Sequence, residues 1–184
     1  MSLDIKPRAV LEFWFSARVQ RHWFDSTPKL DDEIRERFER LWISAGDGEL
    51  SDWQKSAKGA LALVVVLDQF PLNMFRNQPA AFQTEQQAVS VTRQAITDGL
   101  DDVLVGNRLA FLYMPLMHSE SMADQDLSVR LFETAGLRES AKFARHHREI
   151  VKRFGRFPHR NAILGRDSTP DEIAYLVSTE AFKG

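Results

Sequence analysis

Residues 59–70 read GALALVVVLDQF, and the fold class turns on whether this run is a strand or a helix. Length and periodicity do not separate a buried strand from a helix that is apolar on every side. The rest of the chain does. No other segment offers the alternating, β-branched pattern of a pairing partner, and a lone strand would leave its backbone N–H and C=O groups unsatisfied. The run therefore reads as the central helix of an all-α domain.

Working outward, helix punctuation dominates, with proline just inside helix starts and glycine just past helix ends. Thr27-Pro28 reads as N-cap and first helical position, after which Leu30, Ile34, Phe38, Leu41, Trp42 and Ala45 recur on one face before Gly46. Thr84-Glu85 opens a second helix with an inner stripe of Ala88, Val91, Thr92, Ala95 and Ile96, closed by Gly99. A third is expected over Met122–Ala135 before Gly136, a fourth over Arg138–Phe154 before Gly155, and a short last one from Thr169-Pro170-Asp171-Glu172 to about Ser178. Connections are short and carry no Gly/Ser- or Pro-rich linker, so residues 1–184 read as one domain of about eight helices.

Composition narrows the chemistry. The 184 residues include no cysteine, which removes disulfides, thiolate metal sites and cysteine nucleophiles. Asp4, Lys6, Arg8 and Glu12 break up the N-terminal stretch where an export signal needs an apolar core. The longest apolar run, Ala60 to Leu67, falls far short of the roughly 20 residues that span a bilayer. A cytoplasmic protein is the expectation. The net charge of -2 hides polarity: residues 138–166 carry nine basic side chains against only Glu139 and Glu149. Nucleic-acid binding is disfavoured even so, because this basic stretch lacks interleaved glycines and an aromatic platform. No Gly-rich phosphate loop, G-x-S-x-G elbow or dinucleotide fingerprint occurs, and no cofactor can be named. The four tryptophans at 14, 23, 42 and 53 read as packing residues of the first third.

Three segments depart from simple amphipathic helices by crowding polar and aromatic residues around a proline: LDQFPLNMFR (67–76), FLYMPLMHSE (111–120) and RHHREIVKRFGRFPHRNAILGR (145–166). A proline inside a helical pattern interrupts or turns it and frees backbone groups. In the first, Asp68 and Gln69 follow the most apolar helix and need a donor such as Arg76. In the second, His118 and Glu120 form a candidate acid/base pair. In the third, a 100° step places Phe143, His147, Ile150 and Phe154 on one face, with Ala144 and Val151 beside them. His147 is then either a core imidazole or a proton-transfer group. Beyond Gly155, Pro158 suits the first turn of a short helix. The N–H groups of residues 159–161 are expected to face an anion there, with Arg153, Arg156 and Arg160 as donors and His159 and Asn161 orienting it. The alternative is an arginine-rich elbow that ties helix ends and carboxylates together. Metal-ligand spacing is absent.

EFWF near the start, LDQFP with NMFR, AFQTE, FLYMPLMHSE, ADQ and above all RFGRFPHRNAILGR followed by STPDE are similar to the motifs of the bacterial domain-of-unknown-function family 924 over essentially the whole chain. The resemblance implies an all-helical fold similar to tetratricopeptide-like superhelices and brings no established activity. Leu72 stands where that family usually has arginine.

The functional expectation is a polar pocket for a small anionic ligand, phosphate or carboxylate, with His118, Glu120 or His147 available if protons are transferred. The competing expectation is a tetratricopeptide-like module that holds a peptide or protein partner without catalysis.

Overall fold

A computed structural model describes residues 5–182. The protein is all-α, and no strand occurs among the described residues. Its helices fall into two compact units. One holds residues 5–76 and 80–115, the other 77–79 and 116–182.

The first unit contains α1 (Pro7–Trp14), α2 (Ala17–Gln20), α3 (Pro28–Gly46), α4, α5 (Glu85–Thr97) and the opening turns of α6 (Asn107–His118). Helix α4 runs from Ala57–Val64 through a π turn, Val65–Gln69, into Phe70–Met74. Every residue from Gly59 to Pro71 is buried, because α1, α3 and α5 all pack on it. This is the central helix expected from the apolar run. Gly59 is required by close approach: a Cβ there would lie 2.0 Å from the Trp53 carbonyl oxygen. The six positions expected to line the inner face of α3 are all buried, and the Thr27 side chain accepts from Leu30 N at 3.3 Å as its N-cap. Aromatic packing fills the unit. Phe70 stacks on Phe38 with ring centroids 4.6 Å apart, and Trp14 meets it edge-on at 5.7 Å.

Two prolines expected to interrupt helices do not. Helix α4 passes through Pro71, just after the π turn, and α6 passes through Pro115. A proline lacks the N–H that would bond the carbonyl four residues earlier. For Pro71 that carbonyl belongs to Leu67, and the Thr84 hydroxyl donates to it at 2.5 Å while accepting from Trp42 Nε1 at 2.9 Å. Thr84 thus repairs a gap in a neighbouring helix and makes no side-chain cap for α5, which starts at Glu85 as expected. Within the inner stripe of α5, Ile96 is only half-buried, and Val89 is buried in addition to the expected residues.

The second unit holds α7 (Met122–Thr134), α8 (Arg138–Phe154) and α9 (Pro170–Leu176). Helices α7 and α8 pair along their length. The buried face of α8 is Ala141, Ala144, His147, Ile150 and Val151. Phe143, expected on that face, is 55% exposed. Ile150, seven residues on and only about 20° away around the helix axis, is covered by Phe157 and Tyr175, a cluster that does not extend to Phe143. The basic surplus of this helix is largely met at home: Arg145 bonds Glu133 at 2.5 Å and Arg148 bonds Asp126 at 2.6 Å, both on α7. At the base of α7, the Gln125 amide donates to the Met117 and Ser119 carbonyls at 2.8 and 2.7 Å. Those carbonyls belong to a helix end that has no intrahelical donors of its own. Beyond α8, Ile150, Val151, Phe157 and Tyr175 form a small core with Met122, Phe154 and Phe182 packed against it.

Candidate functional site: a polar elbow after helix α8

Helix α8 stops at Gly155, whose φ of +71° is the left-handed conformation that glycine adopts without strain. The chain then makes a 3-10 turn, Pro158–Arg160. It closes on itself through Leu164 N to Arg160 O at 2.9 Å and Arg166 N to Asn161 O at 2.8 Å. That closure brings residues 160, 161 and 166 side by side.

Two bidentate ion pairs fix the elbow. Arg156 donates through Nε and Nη2 to Glu172 at 2.7 and 2.9 Å, and through Nη2 to the Asp167 carbonyl at 2.8 Å. Glu172 also closes a capping box with Thr169 at the start of α9, and it is 2% exposed. Its hydrogen bonds from Arg156 outweigh its burial and hold its pKa down to about 2. Arg166 donates to both oxygens of Glu120, at 2.7 and 2.9 Å, and the Phe157 N–H reaches Glu120 Oε1 at 2.7 Å. Burial alone would raise the Glu120 pKa, but Arg166, the Phe157 amide and the Arg160 charge together lower it. Arg160 is buried, donates to the His118 carbonyl at 2.9 Å, and lies 4.6 Å over the Phe157 ring.

Two histidines of the unit, His147 and His159, are neutral groups in an aromatic setting. His147 is 4% exposed, with Nδ1 2.8 Å from the Phe143 carbonyl. A carbonyl only accepts, so Nδ1 carries the proton of the neutral ring. Burial, helped by the charges of His118, His146 and His159, pushes its pKa down to about 3. His159 falls to about 4, first by burial and then by the Arg160 charge, with Glu120 opposing. The Phe182 ring covers both imidazoles, 4.5 Å from His147 and 5.2 Å from His159 between centroids.

Three polar atoms in this elbow are buried without a hydrogen-bond partner: His159 Nδ1, Asn161 Oδ1 and Arg166 Nε. Asn161 is otherwise anchored, its Nδ2 donating to Ser168 Oγ at 3.0 Å and Glu172 Oε2 at 3.2 Å.

Of the residues singled out from the sequence, the second unit assembles His118, Glu120, His147, Arg156, His159, Arg160 and Asn161. The N–H groups of Arg160 and Asn161, expected to face an anion, are instead taken up by the 3-10 turn, at 3.1 Å to Phe157 O and 3.0 Å to Pro158 O. Arg153 is exposed and lies over the Phe154 ring at 4.7 Å, on the helix ahead of the elbow. Asp68, Gln69 and Arg76 belong to the first unit. There Gln69 Nε2 donates to Asp68 Oδ2 at 2.5 Å, and Arg76 forms an ion pair with Asp31 at 3.0 Å. Leu72 is half-buried in the same unit. Three participants were given no part in the site by the sequence reading. Arg166 and Phe182 lie outside any helical period, and Glu172 was legible only as the last residue of a T-x-x-E cap signal. Among the described residues, no group of three or more His, Asp or Glu side chains is arranged to hold a metal ion, and no helix is long and apolar enough to cross a membrane.

The profile of a bacterial family of proteins of unknown function, DUF924, matches residues 10–180. The chain belongs to that family. A similar solved structure is that of the protein of unknown function ATU0120 from Agrobacterium tumefaciens. It is 37% identical, with a TM-score of 0.87, over 93% of this chain and 96% of that one. No curated protein matches. DUF924 membership covers the elbow and the helices that carry it, and brings no activity with it.

Proposed function

We propose that this DUF924 protein binds a small molecule at the elbow after α8, through an anionic group that meets Arg166 and His159. The carrying observation is the set of three buried, unpartnered polar atoms on residues 159–166. Leaving one such atom unsatisfied costs about 1–3 kcal/mol, and folded proteins hold few of them. Three in one closed turn suit a ligand that satisfies them together. Arg166 Nε–H is a donor, and His159 Nδ1 donates in one of its two neutral tautomers. The field of the buried Arg160 favours negative charge beside them.

Binding fits the imidazoles better than proton transfer does. A general base works best with a pKa near the operating pH, and those of His147 and His159 sit at about 3 and 4. Glu120 is already committed to Arg166 and Phe157. Arg156, assigned to the anion in the sequence reading, serves Glu172 in this one.

The test is a thermal-shift series on the full chain with millimolar phosphates and carboxylates. Ligand at 100 times its Kd stabilises by about 2.7 kcal/mol, roughly 5–10 °C for a chain of this size. The variant His159→Gln should keep its own Tm within about 3 °C and lose the ligand-induced rise. Arg160→Ala is the poorer test, since Arg160 is packed against Phe157 and bonded to the His118 carbonyl. If no phosphate or carboxylate raises the wild-type Tm, or if His159→Gln is raised equally, the proposal fails.

A further inference from the structure

We infer that the elbow selects an anion carrying its own hydrogen-bond donor, such as a protonated phosphate or an α-hydroxy or α-amino acid, over a bare anion such as sulfate or a simple carboxylate. This rests on the binding reading above and adds the ligand class to it.

The argument is the donor and acceptor identity of the three buried atoms. Asn161 is 1% exposed, and one end of its amide lies 3.2 Å from Glu172 Oε2 and 3.0 Å from Ser168 Oγ. Glu172 is ionised, with its pKa held down to about 2, and an ionised carboxylate only accepts. The amide end facing it is therefore the NH₂ group, which makes the unpartnered atom an oxygen without appeal to an assigned flip. Asn161 Oδ1 thus accepts and cannot donate. Arg166 has both terminal nitrogens on Glu120, and its Nε–H can only donate. His159 Nδ1 does either, according to tautomer. The Arg166 N to Asn161 O bond of 2.8 Å sets Asn161 and Arg166 next to each other.

A bare anion satisfies Arg166 and His159 and presents lone pairs to Asn161 Oδ1, which then stays unpaired and is repelled. An anion with an attached O–H or N–H carries a partner of the right kind for each of the three atoms. Sites built around a buried polar partner reject the analogue that lacks the matching group far more strongly than apolar pockets reject a missing methylene.

Matched pairs test this on the full chain by isothermal titration: phosphate against sulfate at a pH where phosphate keeps a proton, and glycolate and glycine against acetate. The first pair asks about phosphates, and glycolate against glycine separates a hydroxyl donor from an ammonium. The expected result is that the donor-bearing member of at least one pair binds about tenfold or more tighter than its partner. That ratio should collapse towards one in Asn161→Ala, whose fold is checked by circular dichroism. Equal binding within every pair overturns the inference and leaves the binding reading standing. No binding by any of the five overturns both. A ratio that persists in folded Asn161→Ala also overturns it, because the donor is then read by another group. Should Asn161→Ala fail to fold, the wild-type ratios decide alone.

Discussion

Two proline-centred corners in this chain look alike as sequence and differ as structure. The corner of the first unit ties itself off. Asp31 accepts from Ser26 at 2.7 Å, Asn73 at 2.8 Å and Arg76 at 3.0 Å, and Thr84 covers the carbonyl that Pro71 leaves open. The elbow of the second unit is held by similar arginine–carboxylate pairs, yet it keeps His159 Nδ1, Asn161 Oδ1 and Arg166 Nε buried and unpartnered. Among its described residues the first unit has one such atom, Trp14 Nε1, in its aromatic core. A polar, proline-bearing segment is therefore a place where backbone groups are freed. Whether it becomes a knot or a site depends on how many partners the rest of the fold returns to it.

The largest effect that sharpens this contrast concerns the material of the first unit. Phe70 is fully buried against Phe38 and Trp14. Phe70→Ala should cost about 3–5 kcal/mol, the range for deleting a core phenylalanine. Tryptophan fluorescence during urea unfolding reads it directly, because all four tryptophans lie in this unit. A cost below about 1 kcal/mol would mean that the unit is not held by aromatic packing.

Next is the ion pair that anchors the elbow. Arg156 is 27% exposed and Glu172 2%. Arg156→Ala strips a carboxylate only 2% exposed of its main donor, so its loss should cost more than the loss of an exposed surface pair. Hydrogen exchange at residues 157–172 is the readout. A variant as protected as the wild type would make this elbow as self-sufficient as the corner of the first unit.

Much of this was readable from sequence, and the failures have common causes. Helix bounds and inner faces were legible wherever period and punctuation agreed: Thr27-Pro28 to Gly46 in α3, and Arg138 to Gly155 in α8. Phe143 was misplaced because a 100° step gives the angle of a residue around the helix but not what covers it: Ile150, at nearly the same angle, is covered by Phe157 and Tyr175, which do not extend to Phe143. The continuity of α4 through Pro71 was hidden because the compensating hydroxyl, Thr84, comes from a distant part of the chain. In the elbow, residue types pointed to polar chemistry, but Arg156 and Arg160 looked available because their acceptors, Glu172 and the His118 carbonyl, are set by tertiary structure. Sequence lists donors, and only the fold says which are already engaged.

A third way to separate the units uses protons. His147 and His159 are neutral in the folded second unit, with pKa values lowered to about 3 and 4 from 6.5, while no histidine is buried in the first unit. A histidine whose folded pKa is depressed stabilises fully above its unfolded pKa. That stability is lost as pH falls below about 6.5, where the unfolded chain takes up the proton and the folded chain does not. Each histidine contributes a slope of about 1.4 kcal/mol per pH unit between about pH 6 and 4. Exchange of residues 141–161 should accelerate in that window before tryptophan fluorescence changes. His147→Leu should remove one histidine's share of the slope, while its stability at pH 7 changes by less than about 1 kcal/mol. Simultaneous change in both probes would break the contrast.

The smallest effect tests the same chemistry in the corner of the first unit. Arg76 and Asp31 form an ion pair like that of Arg156 and Glu172, but they are 53% and 16% exposed. Removing Arg76 leaves Asp31 with two other donors, Asn73 and Ser26, and with water at hand. Its carboxylate is not stranded. Arg76→Ala should therefore cost about 0.5–1 kcal/mol, the range of a screened surface pair, and the loss should shrink in 1 M salt, where the Debye length is about 3 Å. Urea midpoints at low and high salt measure both. The decisive quantity is the ratio to Arg156→Ala. If burial of the acceptor sets the value of an arginine clamp, the elbow variant loses several times more than the corner variant and hardly responds to salt. Equal, salt-sensitive losses would mean that Glu172 is reached by water and that the elbow is no drier than the surface of the first unit.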